Sequence, residues 1–295
     1  MDAVPESVRH LIGGRKLPPV RVGQVEDVRQ GRRDQVEARP AATVILLRDT
    51  AEGPEVYVLR RQATMAFASG QYVFPGGSVD ARDELISVDW VGPAPDYWAK
   101  IFSASEPLAI ALVCAAIRET FEESGVLLAG PDAETVVADT SGPDWEADRV
   151  ALINRELSFA EFLSRRGLVL RADLVVPWAH WITPAFEPKR FDTRFLVAAL
   201  PAGQVTREFG EEADQVEWVR PEVAIERFKS GDMAIMPPTL ISLAEMAAYA
   251  TVADALAASA NRNIAPIEPH VVIPEDEDAM YLVLPGDPRY VPPAS

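Results

Sequence analysis

The chain contains one cysteine, Cys114, so no intrachain disulfide can form. Cys114 lies in an apolar stretch and reads as a buried structural thiol. The three histidines, His10, His180 and His270, are scattered, and no zinc-type spacing appears among them. No run of 18 apolar residues exists, which leaves no membrane-spanning helix to expect and no membrane partner. The segment Met1–Glu6 lacks an apolar signal region, and Pro293-Ala294-Ser295 is not a peroxisomal tripeptide address. A cytoplasmic location is therefore expected. Positive charge is scarce: 28 Lys and Arg stand against 45 Asp and Glu, a net charge of −17. That deficit argues against a nucleic acid polymer, whose phosphates need a basic surface. A small anionic ligand would need local cations to overcome the overall field.

A 48% hydrophobic content over 295 residues supports a substantial core. Residues 1–39 are polar, with scattered Arg, Gly and Pro, and read as a partly disordered arm. Its Arg29, Arg32, Arg33 and Arg39 suit either solvent or an anionic partner. Residues 40–263 read as the main domain, and the Pro-rich 264–295 as a tail packed on it. Strands are expected at 42–47, 55–60, 72–74, 168–176, 191–200, 216–219 and 279–284. Gly92-Pro93-Ala94-Pro95 marks 84–104 as loop. A long helix should start at Ser105 or Glu106, with Pro107 in its first turn, and end near Ser124. Residues 144–166 read as helical, broken at the capping box Ser158-Phe159-Ala160-Glu161. Helices are expected at 221–228 and 239–258, the latter split near Thr251-Val252-Ala253-Asp254. Irregular alternation of strands and helices suits a mixed sheet flanked by helices, an α/β fold.

The most telling stretch is Arg118-Glu119-Thr120-Phe121-Glu122-Glu123-Ser124-Gly125-Val126. Glu119, Glu122 and Glu123 share one helix face at spacing i, i+3 and i+4. Acidic runs on helices are ordinarily solvated. Here, however, Leu108 to Ile117 are almost wholly apolar, as in a helix buried on most sides. Three carboxylates at the end of a core helix repel one another unless a cation resolves the repulsion, and oxygen donors suit Mg²⁺ or Mn²⁺. Gly125 is placed to end the helix.

This stretch resembles the second half of the Nudix box, G-x5-E-x7-R-E-U-x-E-E-x-G-U, where U is bulky and apolar. Phe74-Pro75-Gly76-Gly77 supplies the upstream glycines, and Asp83 falls where the family has Glu. Thirty-four residues separate Asp83 from Arg118 where the standard box has seven, an insertion of 27 residues. Thr120 replaces the first bulky position. Three further features resemble the coenzyme A diphosphatase branch of peroxisomal mammalian type: the long insertion, the run Trp181-Ile182-Thr183-Pro184 followed by Pro188-Lys189-Arg190-Phe191-Asp192-Thr193, and Met236-Pro237-Pro238-Thr239-Leu240 opening a helix. Arg61 and the Gly70-x3-Phe74 spacing match part of the motif that this branch carries before the box, while Ala66 stands at an expected arginine.

The resemblance implies a Nudix-type α/β/α sandwich with a mixed sheet, helical insertions and a C-terminal helical extension. It also implies hydrolysis of the diphosphate of coenzyme A or acyl-coenzyme A, giving 3′,5′-ADP and 4′-phosphopantetheine or its acyl form, with Mg²⁺ or Mn²⁺ as cofactor. Glu119, Glu122, Glu123 and the Gly76 carbonyl match metal-binding positions. Arg118 matches the arginine that orients the carboxylates, and Asp83 stands for its acidic partner. Lys189, Arg190 and Arg61 are candidates for gripping substrate phosphates. Glu211 or Glu212 could supply a general base, and Trp178, Trp181 and Phe191 suit either the core or stacking on adenine. The expected partner is a small nucleoside-diphosphate-linked substrate, and a homodimer is left open. Two rival readings stand beside this one: the same chemistry on ADP-ribose or a dinucleotide, and a non-catalytic Nudix-fold binding or regulatory module.

Overall fold

The computed structural model describes residues 8, 11, 15–62, 68–80, 89–207, 213–274 and 279–291. Its centre is a mixed sheet. In chain order the strands are β1 (Arg15–Lys16), β2 (Arg39–Thr50), β3 (Gly53–Arg61), β4 (Tyr72–Val73), β5 (Gly76–Ser78), β6 (Trp90–Val91) and β7 (Ala129–Gly130). They continue with β8 (Val169–Arg171), β9 (Val175–Ile182), β10 (Phe191–Ala199), β11 (Ala213–Val219), β12 (Pro266–Ile267), β13 (His270–Val272) and β14 (Tyr281–Val283). The main sheet runs β11-β3-β2-β10-β9-β12, with β4 on β3 and β5 on β2. β2 and β10 are parallel, from Phe191 opposite Arg39 to Ala199 opposite Leu47, whereas β3 and β5 run antiparallel to β2.

The period-2 alternation of β2 sends its side chains to two different cores. Ala42, Val44 and Leu46 join the core under the long helix, while Ile45 and Leu47 face the opposite layer. A strand apolar on both faces belongs to a sheet covered on both faces. The helices are α1 (Pro19–Arg29), α2 (Pro95–Phe102), α3 (Glu106–Ser124), α4 (Pro143–Ile153), α5 (Phe159–Arg166), α6 (Pro221–Ser230), α7 (Pro237–Met246) and α8 (Val252–Ala258). α2, α3 and α5 cover one face, and α6, α7 and α8 the other, so the layers form an α/β/α sandwich.

α3 begins where Ser105 caps it, accepting from the Leu108 N–H at 3.4 Å, and ends at Gly125 in the left-handed region with φ 73°. Ala111 to Ile117 are fully buried on every side, Cys114 among them, because α3 lies between the sheet and α2. Thr120 is buried too and satisfies its hydroxyl on the Ala116 carbonyl at 2.8 Å. The capping boundaries at Ser158 and Thr251 fall as the sequence predicts, the first as a complete capping box with Glu161. No single helix among the described residues is long and apolar enough to cross a membrane.

Two expectations are corrected. The 84–104 insertion is not simply loop. It carries β6 and α2, with Trp98 and Phe102 wholly buried and Pro95 in the first turn, where its missing N–H costs nothing. The described part of the N-terminal segment, residues 15–39, is packed on the domain. β1 pairs with β14, and Leu17 and Val25 pack against Phe186 and Met280. Of its arginines, Arg32 pairs with Asp27 and Arg33 donates to the Phe186 carbonyl. The tail 264–291 contributes β12 to the main sheet and β13 and β14 to the small sheet with β1.

Candidate active site

The last turns of α3 lie over β5, the strand that holds the glycine pair. The Gly76 N–H donates to Glu123 Oε2 at 2.7 Å. Arg118 Nη1 donates to Glu119 Oε1 at 2.8 Å and to both Glu122 oxygens at 3.2 Å, and Nη2 reaches the Ser78 carbonyl at 3.3 Å. The structure therefore brings Gly76, Arg118, Glu119, Glu122 and Glu123 into one cluster. Asp83, Ala66, Glu211 and Glu212 lie outside the described residues.

The two glycines are required for different reasons. A Cβ on Gly76 would stand 2.4 Å from Thr43 Oγ1 and 2.5 Å from the Ala42 carbonyl oxygen, so the close approach of β5 to β2 leaves no room for one. A Cβ on Gly77 would stand 2.4 Å from Glu119 Oε1. Gly76 thus admits the strand, and Gly77 admits the carboxylate.

The end of α3 is held from outside the helix, a feature that sequence reading missed. Its last turn contains no basic residue. Its exposed carbonyls are met instead by later segments. Arg149 Nη1 of α4 donates to the Glu122 carbonyl at 2.7 Å, the Arg207 N–H to the Ser124 carbonyl at 3.0 Å, and Thr140 Oγ1 to the Gly125 carbonyl at 2.7 Å. Gln204, itself buried, fixes the segment before Arg207 by exchanging hydrogen bonds with the Leu127 backbone. α5 packs on the same turn, with Phe162 stacked on Phe121 at 5.2 Å. Only a tertiary contact 27 residues away places Arg149 here, so no local spacing announces it.

The donor chemistry fits a hard divalent cation. All three side chains offer carboxylate oxygens, and they stand at the negative end of the helix dipole, where cations are favoured. In the described conformation Arg118 and the Gly76 N–H hold these oxygens. No three His, Cys, Asp or Glu side chains among the described residues already converge on one point.

The phosphate-binding candidates separate. Arg190 is corrected: it is buried, and all three of its nitrogens are used internally, by the Thr183 carbonyl at 2.9 Å, the Val36 carbonyl at 2.9 Å and Glu268 at 2.6 Å. It pins the β9–β10 turn to the tail and has no outward fork for a phosphate. Lys189 is exposed, with its ammonium 5.3 Å from the Phe191 ring centroid. It precedes the β10 residue paired with Arg39, close to where β5 joins β2. Arg61 ends β3 beside Gln71. Trp178 and Trp181 are core residues, and Trp178 Nε1 is satisfied by Glu245 at 2.7 Å. His180 is buried against Asp192, which also takes Arg194. Burial pushes the His180 imidazole down. Burial opposes ionisation of Asp192 as well, yet the hydrogen bonds from His180 and Arg194 prevail and bring its carboxyl to about 2.

Comparison with known proteins agrees with this geometry. Residues 97–246 match the model of the NUDT19 Nudix domain. The chain is 27% identical over 275 residues to the acyl-coenzyme A diphosphatase NUDT19 of Xenopus laevis, covering 80% of this chain and 71% of that protein. It is 26% identical over 277 residues to the human protein of the same name, covering 82% and 73%. Among solved structures, the crystal structure of a Nudix hydrolase from Alicyclobacillus acidocaldarius superposes with a TM-score of 0.62 at 29% identity, covering 75% of this chain and 96% of that one. The matched family model spans more than half of the 295 residues and includes the whole carboxylate cluster of α3; the chain belongs to the Nudix hydrolases, in the NUDT19 Nudix domain family.

Proposed function

We propose that the protein hydrolyses the diphosphate bond of coenzyme A or acyl-coenzyme A, releasing 3′,5′-ADP and 4′-phosphopantetheine or its acyl form, with Mg²⁺ or Mn²⁺ bound at the end of α3. The observation that carries this reading is the carboxylate cluster of Glu119, Glu122 and Glu123 over the Gly76-Gly77 strand, in a chain that covers over 70% of relatives named acyl-coenzyme A diphosphatase.

In the reaction water attacks one phosphorus of the diphosphate, the bridging P–O bond breaks, and the other phosphate leaves. Such transfers depend on positioning and charge neutralisation more than on covalent catalysis by the protein. A divalent cation held by Glu119, Glu122, Glu123 and the Gly76 carbonyl would neutralise phosphate charge and favour ionisation of the attacking water. Arg118 orients two of the three carboxylates, Glu119 and Glu122, through one nitrogen. The buried Ile117, Thr120 and Phe121 beside them exclude water from the helix side. Lys189 and Arg61 supply positive charge for the substrate phosphates against a net charge of −17.

The test is a panel of coenzyme A, an acyl-coenzyme A, ADP-ribose and NADH, each incubated with purified protein and Mg²⁺ or Mn²⁺, with products resolved by chromatography. Release of 3′,5′-ADP from the coenzyme A substrates is expected. Turnover of ADP-ribose alone overturns the substrate assignment. No turnover of any compound overturns the enzymatic reading.

A further inference from the structure

Arg149 has no place in the Nudix box, yet it is one of the most completely engaged charged side chains near it. Its side chain is 5% exposed. Nη1 donates to the Glu122 carbonyl at 2.7 Å. Nε and Nη2 grip Glu146 on its own helix as a fork, at 3.0 and 2.6 Å. Glu146 in turn takes Arg207 Nη1 at 3.3 Å, and the backbone of Arg207 donates to the Ser124 carbonyl. One carboxylate therefore joins two arginines from separate segments, and each arginine meets a carbonyl in the last turn of α3. The Arg149 pair holds the Glu146 carboxyl below its ordinary range.

We propose that Arg149, seated by Glu146, is a positioning residue for the metal-binding carboxylates, acting through the Glu122 backbone rather than on substrate. This inference rests on the metal-site reading above. The last turn of a helix frays most readily, and Glu122 and Glu123 both lie in it. The guanidinium supplies the Glu122 carbonyl with the charge-assisted partner that α3 lacks. The Glu146 carboxylate cancels the charge of that guanidinium, so the brace adds little positive field beside a cation site.

Positioning and simple electrostatics predict opposite signs. By charge alone, Arg149→Met leaves the Glu146 carboxylate uncompensated near the site and should tighten divalent metal binding. If Arg149 positions the turn, the same change loosens binding although the local charge has become more negative. Partners that orient metal ligands in this way typically contribute about 10–100-fold in metal affinity.

The experiment measures Mn²⁺ binding to the full chain from the electron paramagnetic resonance signal of free Mn²⁺, without substrate. Wild type, Arg149→Met, Arg149→Lys and Glu146→Gln are compared at a temperature where each is folded. The expected result is Mn²⁺ binding weakened roughly 10–100-fold in all three variants, with the Mn²⁺ activation constant for coenzyme A hydrolysis raised in parallel and KM for coenzyme A at saturating metal unchanged. Glu146→Gln preserves the size of the side chain but leaves one acceptor oxygen where the fork uses two. Arg149→Lys keeps the positive charge and loses the fork, so weakened binding there cannot come from charge, and it carries the test if Arg149→Met does not fold. Tighter binding by Arg149→Met, or wild-type binding in folded variants with only a lower melting temperature, overturns the proposal. Absence of Mn²⁺ binding by wild type overturns the metal-site reading itself and this inference with it, and so is distinguishable from a failure of the brace alone.

Discussion

Replacing Gly77 and Gly76 by alanine, one at a time, should separate catalysis from folding within a single dipeptide. The methyl group in Gly77→Ala would lie 2.4 Å from Glu119 Oε1, where ordinary contact begins near 3.4 Å, so about 1 Å of movement is needed. The obstruction is the end of a side chain that can rotate away, so stability should change little. The Glu119 carboxylate, however, would leave its place beside Arg118, and a 1 Å misplacement in a catalytic arrangement costs on the order of 100-fold in rate. In Gly76→Ala the methyl meets the Ala42 carbonyl oxygen at 2.5 Å and Thr43 Cα at 2.7 Å, both backbone, so β2 and β5 must part. Overpacking of this kind costs about 1–3 kcal/mol, or roughly 2–4 °C of melting temperature for each kcal/mol. The assay is kcat for coenzyme A hydrolysis beside thermal unfolding. Gly77→Ala with wild-type kcat, or with a melting temperature as low as that of Gly76→Ala, would refute the reasoning.

Three further outcomes are expected. Glu122→Gln should leave the fold intact and remove most activity; wild-type kcat at saturating metal would refute its assignment as a ligand. Arg190→Ala should cost about 3 kcal/mol of stability by stranding the partly buried Glu268, while KM for coenzyme A stays constant; a raised KM with an unchanged melting temperature would restore Arg190 as a substrate contact. Stability should also fall with acid in two windows. The folded His180 resists protonation more than the unfolded side chain at 6.5, so its contribution is complete above 6.5 and declines as pH drops from there toward its lowered folded value. Asp192 titrates near 2 when folded and 3.8 when unfolded, so its contribution is lost between those values. Each proton changes the unfolding free energy by at most about 1.4 kcal/mol per pH unit; a melting temperature flat from pH 7 to 5 would contradict the His180 part.

Features specified by neighbouring residues were legible in the sequence, and those specified by distant ones were not. Ser105, Gly125, Ser158 and Thr251 announce helix ends because a cap acts within three or four residues. The face shared by Glu119, Glu122 and Glu123 follows from helical periodicity alone. The α2 helix was hidden because Gly92-Pro93-Ala94-Pro95 reads as turn, although Pro95 is tolerated in a first turn and burial of Trp98 and Phe102 holds the rest. Arg190 looked like a phosphate ligand because its basic neighbourhood is visible in sequence. Its partners Val36 and Glu268 are 154 and 78 residues away. Arg149 was missed for the same reason: its role lies in a contact with α3 that folding alone creates.

The most direct measurement is the rate of 3′,5′-ADP release from coenzyme A by metal-stripped wild-type protein as Mg²⁺ is added from zero. The account predicts no release without metal and a saturable rise with it. Release that is indifferent to metal, or none at any Mg²⁺ or Mn²⁺ concentration, would contradict it.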